Sequence, residues 1–336
     1  MNQVPVTVVT GFLGAGKTTL VNRLLADLGA QGSARSYAVI VNEFGDIGID
    51  GDLIAAGEEE LIELSSGCIC CVVRGDLIRT MRRLLSRDRD LEGILIETTG
   101  LANPSPVIQT LVVDQVIAAQ CRLDSVVCVV DAAHILDRLA DTRDAADAAD
   151  QIAFSDHILL NKADDTMVPP SDIETRLRAL NPFALITRAN RANVPAEAVL
   201  NRNGFELERV EGQLPELGDN HEHHHDHHTH IDESGIESLS LSIDEPLDSN
   251  RLEEWIQDVL ARWGANILRI KGILSIAGED RKLVLQAVNM MLEGDYVDKW
   301  SNRPRQSRLV FIGRQLERRA LEEGLKSCSE AAAFAS

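Results

Sequence analysis

Aromatic residues are scarce in this sequence, since Phe, Trp and Tyr together make up 4% of the 336 residues. So few rings do not suit a stacking surface for single-stranded nucleic acid. Acidic residues outnumber basic ones, 53 to 33, and the formal net charge of −20 opposes phosphate backbones and anionic lipid. No apolar run approaches the roughly 18 residues of a membrane span, and no basic region precedes the apolar residues 4–9. We therefore expect a soluble, cytoplasmic protein with neither nucleic acid nor a membrane as a partner.

Short apolar runs alternate with amphipathic stretches through residues 1–202. The predicted strands are residues 5–10, 37–42, 94–97, 126–131, 157–161 and 184–187, and the predicted helices are residues 17–27, 75–86 and 106–115. Because strands that alternate with helices form parallel sheets covered on both faces, we expect an α/β domain with a doubly wound, mostly parallel sheet.

The rest of the chain predicts a second, smaller domain. Residues 203–235 are polar and acidic, which is typical of a linker, here rich in histidine. Residues 236–328 show the order β-α-β-β-β-α, which predicts an α+β domain with an antiparallel sheet. Its predicted strands are residues 238–243, 267–277, 282–288 and 307–313, with helices that begin near residue 248 and at residue 316. Residues 329–336 are predicted to be a disordered tail.

The letters GFLGAGKT at residues 11–18 fit the phosphate-loop pattern G-x-x-x-x-G-K-[ST] and stand between a predicted strand and a predicted helix. In this pattern the glycines let backbone N–H groups surround phosphate oxygens. Lys17 is expected to reach the β- and γ-phosphates, and the hydroxyl of Thr18 to complete magnesium coordination. The residues predicted to hold the nucleotide here are Gly11, Gly14, Ala15, Gly16, Lys17, Thr18 and Thr19.

The letters ETTG at residues 97–100 follow a buried apolar run. The carboxylate of Glu97 is expected at the carboxyl end of a parallel strand, where doubly wound folds bind ligands and where it would hold magnesium. Gly100 is expected to bring a backbone N–H close to the γ-phosphate. We therefore predict catalytic roles for Lys17, Thr18 and Glu97.

The letters NKAD at residues 161–164 close another predicted strand. A carboxylate only accepts hydrogen bonds, so Asp164 can take both the ring N–H and the exocyclic amine of guanine. Adenine has no such pair of donors. Asn161, Lys162 and Asp164 therefore predict that the nucleotide is GTP rather than ATP.

Three of the six cysteines are crowded into Cys68, Cys70 and Cys71, which is not the spacing of a disulfide framework. Thiols in a single cluster suit a soft or borderline cation such as zinc or copper(I), in a site that keeps a position open. Glu43 and Asp46 are candidate oxygen ligands to the same zinc. The alternative is a reactive or incidental cluster of thiols. The remaining cysteines, Cys121, Cys128 and Cys328, and the isolated His134 and His157 are expected to be structural.

Seven of the ten residues 221–230 are histidine, interleaved with acids. Neutral imidazoles bind zinc, copper, nickel and cobalt alike, so this tract predicts auxiliary, unselective metal binding. Its candidate ligands are His221, His223, His224, His225, His227, His228 and His230. A solvated polar loop is the alternative.

Taken together, the sequence resembles the CobW family of GTP-dependent metallochaperones. The resemblance covers nearly the whole chain and rests on TGFLGAGKTT at residues 10–19, NEFG at 42–45, GCICC at 67–71, ETTGLANP at 97–104, NKAD at 161–164 and RLVFIGR at 308–314. It implies a P-loop GTPase domain followed by the family's carboxy-terminal domain, with GTP, Mg²⁺ and Zn²⁺ as ligands. It also implies that GTP and magnesium order the Cys-x-Cys-Cys site, and that hydrolysis accompanies release of zinc to a client apo-metalloprotein.

Other interpretations stay open. The metal is cobalt in one alternative, for corrinoid synthesis or nitrile hydratase activation, although the thiols favour zinc. A small-molecule kinase would share the phosphate loop, but the NKAD letters argue against it. A GTP-regulated metal buffer would depend most on the histidine tract. A homodimer is also left open.

Overall fold

The structure is a computed structural model, and it describes residues 3–30, 36–42, 61–64, 70–86, 91–100, 103–202, 235–288, 291–300 and 305–329. The chain divides into two compact units. The first comprises Met1–Arg176 and Ala184–Gly204, and the second comprises Leu177–Phe183 and Phe205–Ser336. Within the described ranges, no helix has both the length and the apolar character needed to cross a bilayer.

Strands and helices alternate along the first half of the chain, as the sequence predicts. The strands are β1 (Val4–Thr10), β2 (Ser36–Asn42), β3 (Leu61–Leu64), β4 (Leu91–Glu97), β5 (Cys121–Asp131), β6 (His157–Asn161) and β7 (Leu185–Arg188). The helices are α1 (Lys17–Ala30), α2 (Cys70–Leu85), α3 (Ser105–Val113), α4 (Gln115–Gln120), α5 (Ile135–Ala140), α6 (Ala145–Phe154) and α7 (Pro170–Leu180). The prediction from sequence does not include β3, α5, α6 or α7.

These strands form one sheet in the order β3-β2-β4-β1-β5-β6-β7, with parallel pairing throughout. Strand β1 lies between β4 and β5, so that Val9 pairs with Glu97 and Thr10 pairs with Cys128. Because the chain builds the sheet first on one side of β1 and then on the other, the doubly wound prediction is confirmed. In such sheets ligands bind at the carboxyl ends of the strands where the order reverses.

Helix α1 packs on the centre of this sheet. Leu20, Val21, Leu24 and Leu25 are buried at the three- and four-residue spacing of one helix face, and they share a core with Val9 of β1. Each fully buried side chain of this kind contributes roughly 1.5–3 kcal/mol of stability. The first turn of α1, which completes the phosphate loop, is therefore held firmly beside the end of β1.

The prediction of one helix over residues 106–115 is wrong at its carboxyl end. Helix α3 ends at Val113, and Asp114 has extended backbone, with φ −79° and ψ 111°, before α4 begins. The carboxylate of Asp114 accepts hydrogen bonds from the N–H groups of Val116 and Ile117 and so caps α4. The apolar pattern alone does not reveal this break, because it is the Asp114 side chain that offers the backbone another partner.

The second unit contains an antiparallel sheet with helices, as the sequence predicts. Its strands are β8 (Ile236–Ile243), β9 (Ile267–Ser275), β10 (Arg281–Val288), β11 (Met291–Lys299) and β12 (Ser307–Arg314), and two helices, α8 (Ser249–Trp263) and α9 (Arg318–Ser327), accompany them. The sheet has the order β11-β10-β9-β12-β8. Leu252 and Ile256 of α8 and Leu321 of α9 pack with Phe311 in one core.

The predicted order β-α-β-β-β-α lacks strand β11. This strand is at the edge of the sheet and pairs only with β10 among the described strands. Glu293 and Asp295 are exposed on it. Acidic side chains on an edge strand discourage pairing with other chains, but they also hide the strand from a search for apolar runs.

Candidate functional site

The phosphate loop joins the end of β1 to the start of α1. Gly11, Gly14 and Gly16 have φ values of 134°, 78° and 110°. At Gly16 a Cβ atom would lie 2.6 Å from Nδ2 of Asn161, so there is no room for a side chain. The loop therefore presents its backbone N–H groups at the positive end of a helix, which is the arrangement that binds phosphate.

Lys17 begins α1, and its side chain is buried, with 6% exposed. Nζ of Lys17 donates a hydrogen bond to the carbonyl oxygen of Phe12 at 3.1 Å. Burial lowers the pKa of Lys17, while the nearby Glu97 and then Cys128 act in the opposite direction. A desolvated ammonium is stabilised when an anionic phosphate approaches, so Lys17 is well placed for the phosphate role that the motif predicts.

Thr18 and Glu97 meet across the gap between α1 and β4. The hydroxyl of Thr18 donates to Oε1 of Glu97 at 2.8 Å. Glu97 is 5% exposed and is held at the end of its strand, because the N–H of Thr98 donates to the carbonyl of Val9 at 2.9 Å. Adjacent hydroxyl and carboxylate oxygens fit Mg²⁺, a small cation that prefers oxygen ligands. The exposed Thr19 lies on the same turn of α1.

Gly100 lies directly against the phosphate loop. A Cβ atom at Gly100 would be 2.7 Å from Cα of Leu13, whose own side chain is 77% exposed. The segment that follows Glu97 is thus in backbone contact with the loop.

Asn161 joins three loops at the carboxyl edge of the sheet. Its Nδ2 donates to the carbonyl oxygen of Ala15 at 2.8 Å, and its Oδ1 accepts from the N–H of Ala192 at 2.8 Å. Ala15 belongs to the phosphate loop, and Ala192 belongs to the loop after β7. The side chain of Asn161 therefore has a bridging role that the nucleotide motif alone does not reveal.

Lys162 has a left-handed backbone, with φ 58°, and its ammonium binds Asp131 at the end of β5, with Nζ 2.7 Å from Oδ2. The ring Nδ1 of His134 lies 3.1 Å from the same oxygen. Partial burial acts to raise the pKa of Asp131, but the hydrogen bonds from Lys162 and His134 outweigh it, so the pKa lies below its ordinary value. Asp131 is absent from the site predicted from sequence, although it ends a strand at the ligand edge, which is a usable signal.

Asp164 is exposed and is contacted by the loop that follows β7. Its backbone N–H donates to Oδ1 of Asn190 at 3.1 Å, and Nδ2 of Asn190 donates to the Asp164 carboxylate. Asn190 is also absent from the site predicted from sequence. Its position two residues after the end of β7, beside β6 and the NKAD letters, is the signal that points to it.

The three remaining cysteines and His157, all predicted to be structural, are buried, whereas His134, predicted with them, is exposed beside Asp131. Cys121, Cys128 and Cys328 are free thiols, and burial raises the pKa of Cys128 to about 12. His157 is 3% exposed, and its Nε2 lies 2.9 Å from the hydroxyl of Thr187. Burial, and then the charge of Arg202, lower the pKa of His157 to about 4. His157 is therefore neutral in the folded chain near neutral pH.

The predicted zinc ligands fall outside what the structure describes. Cys68, Glu43, Asp46 and the seven histidines of residues 221–230 lie outside the described residues, as do the side chains of Cys70 and Cys71. The backbone shows that α2 begins at Cys70, five residues before the start of the predicted helix at residue 75. Among the described residues, no three His, Cys, Asp or Glu side chains form a metal-binding group.

Two protein-family models match the chain. Residues 5–188 match the CobW/HypB/UreG nucleotide-binding domain, and residues 236–329 match the cobalamin synthesis protein cobW C-terminal domain. The first match spans the phosphate loop, the ETTG letters and the NKAD letters, and the second spans the antiparallel sheet.

Individual proteins are similar over both units. The chain is 32% identical to the zinc chaperone YjiA of Escherichia coli over 334 residues, covering 97% of this chain and 100% of that protein. It is 35% identical to the zinc chaperone CobW of Pseudomonas aeruginosa over 362 residues, covering 97% and 91% of the two chains. The crystal structure of Zn(II)-bound YjiA GTPase from E. coli has a TM-score of 0.74 at 27% identity and covers 98% of this chain and 100% of that one.

Proposed function

Because the chain belongs to the CobW/HypB/UreG family and has its P-loop GTPase fold, we propose that it is a GTP-hydrolysing zinc chaperone. In the proposed cycle it binds zinc at Cys68, Cys70 and Cys71 while GTP and magnesium occupy the phosphate loop, and it transfers the zinc to a client apo-metalloprotein. One topological observation carries the proposal. Strand β3 ends at Leu64 and α2 begins at Cys70, so the Cys-x-Cys-Cys segment joins a parallel strand to a helix. It follows the carboxyl end of β3, as the phosphate loop follows the carboxyl end of the parallel strand β1.

The residues at the phosphate loop account for GTP binding and hydrolysis in this proposal. The ammonium of Lys17 binds the β- and γ-phosphates, and the backbone N–H groups of residues 11–18 stabilise the charge that develops on the γ-phosphate. Thr18 and Glu97 supply the oxygens for Mg²⁺, which when bound neutralises phosphate charge. The hydrogen bond between Thr18 and Glu97 orients both oxygens in advance.

The base is guanine because the carboxylate of Asp164, three residues beyond the end of β6, is a hydrogen-bond acceptor. Its two carboxylate oxygens match the N1–H and the 2-amino group of guanine, and adenine does not present that pair of donors. Asn161 and Lys162 support Asp164 from the same turn. Asn161 does so through its hydrogen bonds to the neighbouring loops, and Lys162 through its ion pair with Asp131.

Nucleotide and zinc sites are coupled through adjacent strands in the proposed cycle. Strand β4 carries Glu97 and pairs with β2, which pairs with β3, and the cysteines follow β3 along the chain. Gly100 contacts the phosphate loop at Leu13. A state in which both sites are closed must be favoured by both ligands, so GTP has to raise the affinity for zinc by the same factor as zinc raises the affinity for GTP.

Zinc rather than cobalt is the proposed cargo. Thiolate ligands favour zinc, and the relatives from E. coli and P. aeruginosa are both named zinc chaperones. The start of a helix favours the thiolate form of cysteine, and α2 starts at Cys70. Thiolates persist in a reducing compartment, which favours the cytoplasm. The histidine tract is proposed to gather zinc for the cysteines.

Release of zinc during turnover tests this cycle. The zinc-loaded chain is mixed with a coloured zinc chelator and given magnesium with either GTP or a slowly hydrolysed GTP analogue. We expect the analogue to retain the zinc and GTP to release it as hydrolysis proceeds. Lys17→Ala should remove this difference, whereas Lys326→Ala, an exposed lysine of α9, should preserve it. Release at the same rate with either nucleotide would contradict the proposal.

A further inference from the structure

The loop that follows β7 carries an asparagine next to the residue proposed to read the base. Strands β6 and β7 are parallel neighbours, with Leu160 paired to Arg188, so the segments after them emerge side by side. The N–H of Ala163 donates to the carbonyl of Ala189 at 3.2 Å, which joins the two segments through their backbones. Asn190 follows at once.

Asn190 and Asp164 are linked by two hydrogen bonds. Oδ1 of Asn190 accepts from the backbone N–H of Asp164 at 3.1 Å, and Nδ2 of Asn190 donates to the Asp164 carboxylate. The first bond fixes where the backbone of Asp164 lies, and the second fixes which way its carboxylate faces. Asp164 is an exposed residue, so without this contact its side chain would be free to change rotamer.

The backbone after Asn190 is unusual. Arg191 and Ala192 have φ values of 51° and 54°, in the left-handed region that residues with side chains seldom adopt. Two hydrogen bonds stabilise this conformation. The N–H of Ala192 donates to Oδ1 of Asn161 at 2.8 Å, and the N–H of Asn193 donates to the carbonyl of Asn190 at 3.0 Å. Strain of this kind persists only where the surroundings hold it, and it is concentrated at binding sites.

We propose that Asn190 is a positioning residue for guanine, which holds the Asp164 carboxylate in the orientation that accepts the base. The inference rests on the proposed function, in which Asp164 reads the base. A carboxylate has about four lone-pair positions, so the donor of Asn190 and the two donors of guanine can all bind Asp164 at once. Asn190 thus acts on the nucleotide through Asp164. It fixes the Asp164 side chain before the base binds, so less side-chain entropy is lost on binding.

Displacement of a fluorescent GDP analogue measures the effect with GDP and IDP as competitors. Inosine keeps the N1–H of guanine but lacks the 2-amino group, so the ratio of the two affinities reports how well Asp164 faces the base. We expect Asn190→Ala to weaken GDP binding by about tenfold, the loss of one hydrogen bond to a charged group, and to weaken IDP binding less. Asn193→Ala alters an exposed residue of the same loop and removes only an exposed hydrogen bond from Arg23, so it should bind both nucleotides as the unaltered chain does.

Asn190→Asp separates orientation from loop structure. It keeps an oxygen for the Asp164 N–H but replaces the donor with a negative oxygen beside the carboxylate, so we expect it to weaken GDP binding more than Asn190→Ala does. Wild-type GDP binding by Asn190→Asp, or equal losses of GDP and IDP in Asn190→Ala, would overturn the inference. Asp164→Ala shows which idea has failed. If it loses its preference for GDP over IDP while both Asn190 variants bind normally, only the role of Asn190 is wrong, and if it keeps that preference, base reading by Asp164 is wrong.

Discussion

Replacement of Asn161 by alanine should destabilise the chain even without nucleotide. The side chain of Asn161 makes two hydrogen bonds of 2.8 Å, to the carbonyl of Ala15 and from the N–H of Ala192. Ala15 is 1% exposed and Ala192 is 0% exposed, so water does not readily replace the lost partner. Each buried polar group left without its partner costs about 1–3 kcal/mol, and two are lost here, so we expect Asn161→Ala to lower the free energy of unfolding by about 2–6 kcal/mol.

Urea unfolding followed by far-ultraviolet circular dichroism measures this loss on the nucleotide-free chain. Asn193→Ala is the matched control, because Asn193 is exposed in the same loop. Its side chain accepts one exposed hydrogen bond, from Arg23, so the change should alter the free energy of unfolding by no more than about 0.5 kcal/mol. Binding of GDP should weaken in Asn161→Ala together with stability, since the phosphate loop loses its tie to the other loops. If Asn161→Ala were as stable as the control, the bridging role of Asn161 would be refuted.

Three further changes have defined outcomes. Thr18→Ala removes a hydroxyl that lies 2.8 Å from Glu97 at the proposed magnesium site, so the magnesium concentration for half-maximal GTP hydrolysis should rise at least about tenfold. Gly100→Ala would place a Cβ atom 2.7 Å from Cα of Leu13, so it should weaken binding of a slowly hydrolysed GTP analogue more than binding of GDP. The pKa of His157 is lowered from 6.5 to about 4 in the folded chain. As the pH falls below 6.5, His157 is therefore protonated in the unfolded chain but stays neutral in the folded chain. This should reduce the free energy of unfolding by about 3 kcal/mol between pH 6.5 and 4, and His157→Gln should remove that part of the loss.

Each of these three predictions can be contradicted by a specific result. An unchanged magnesium requirement in Thr18→Ala would mean that its hydroxyl does not help to hold the metal. Equal losses for GDP and the GTP analogue in Gly100→Ala would mean that this segment does not respond to the γ-phosphate. Parallel stability curves for the unaltered chain and His157→Gln, measured by urea unfolding at several pH values, would show that His157 is not held neutral by burial.

The sequence predicts the sheet of the first unit well because its strands are buried on both faces. Runs such as residues 126–130 are apolar throughout, which is the pattern of a central parallel strand. The glycine, lysine and threonine letters of the phosphate loop are equally visible, since their spacing follows from the shape of a phosphate. Strand β11 is not visible in this way, because it is an exposed edge strand with acidic side chains.

The parts of the site that the sequence does not reveal act through contacts between distant segments. Asp131, Asn190 and Ala192 belong to no motif, and each becomes part of the site only because parallel strands end at one edge of a sheet. Their contacts with Lys162, Asp164 and Asn161 join residues that are far apart along the chain. A pattern that is read locally cannot pair them, although the order of the strands does so at once.

Coupling between the nucleotide and zinc sites can be measured by a zinc titration. The affinity for zinc is measured against a competing chelator, with and without magnesium and a slowly hydrolysed GTP analogue. We expect the analogue to tighten zinc binding by about tenfold or more. Cys70→Ser with Cys71→Ser should abolish the tightening, and deletion of residues 221–230 should leave it in place. A zinc affinity that is the same with and without nucleotide would contradict nucleotide-dependent zinc binding, because the two sites would then not share a closed state.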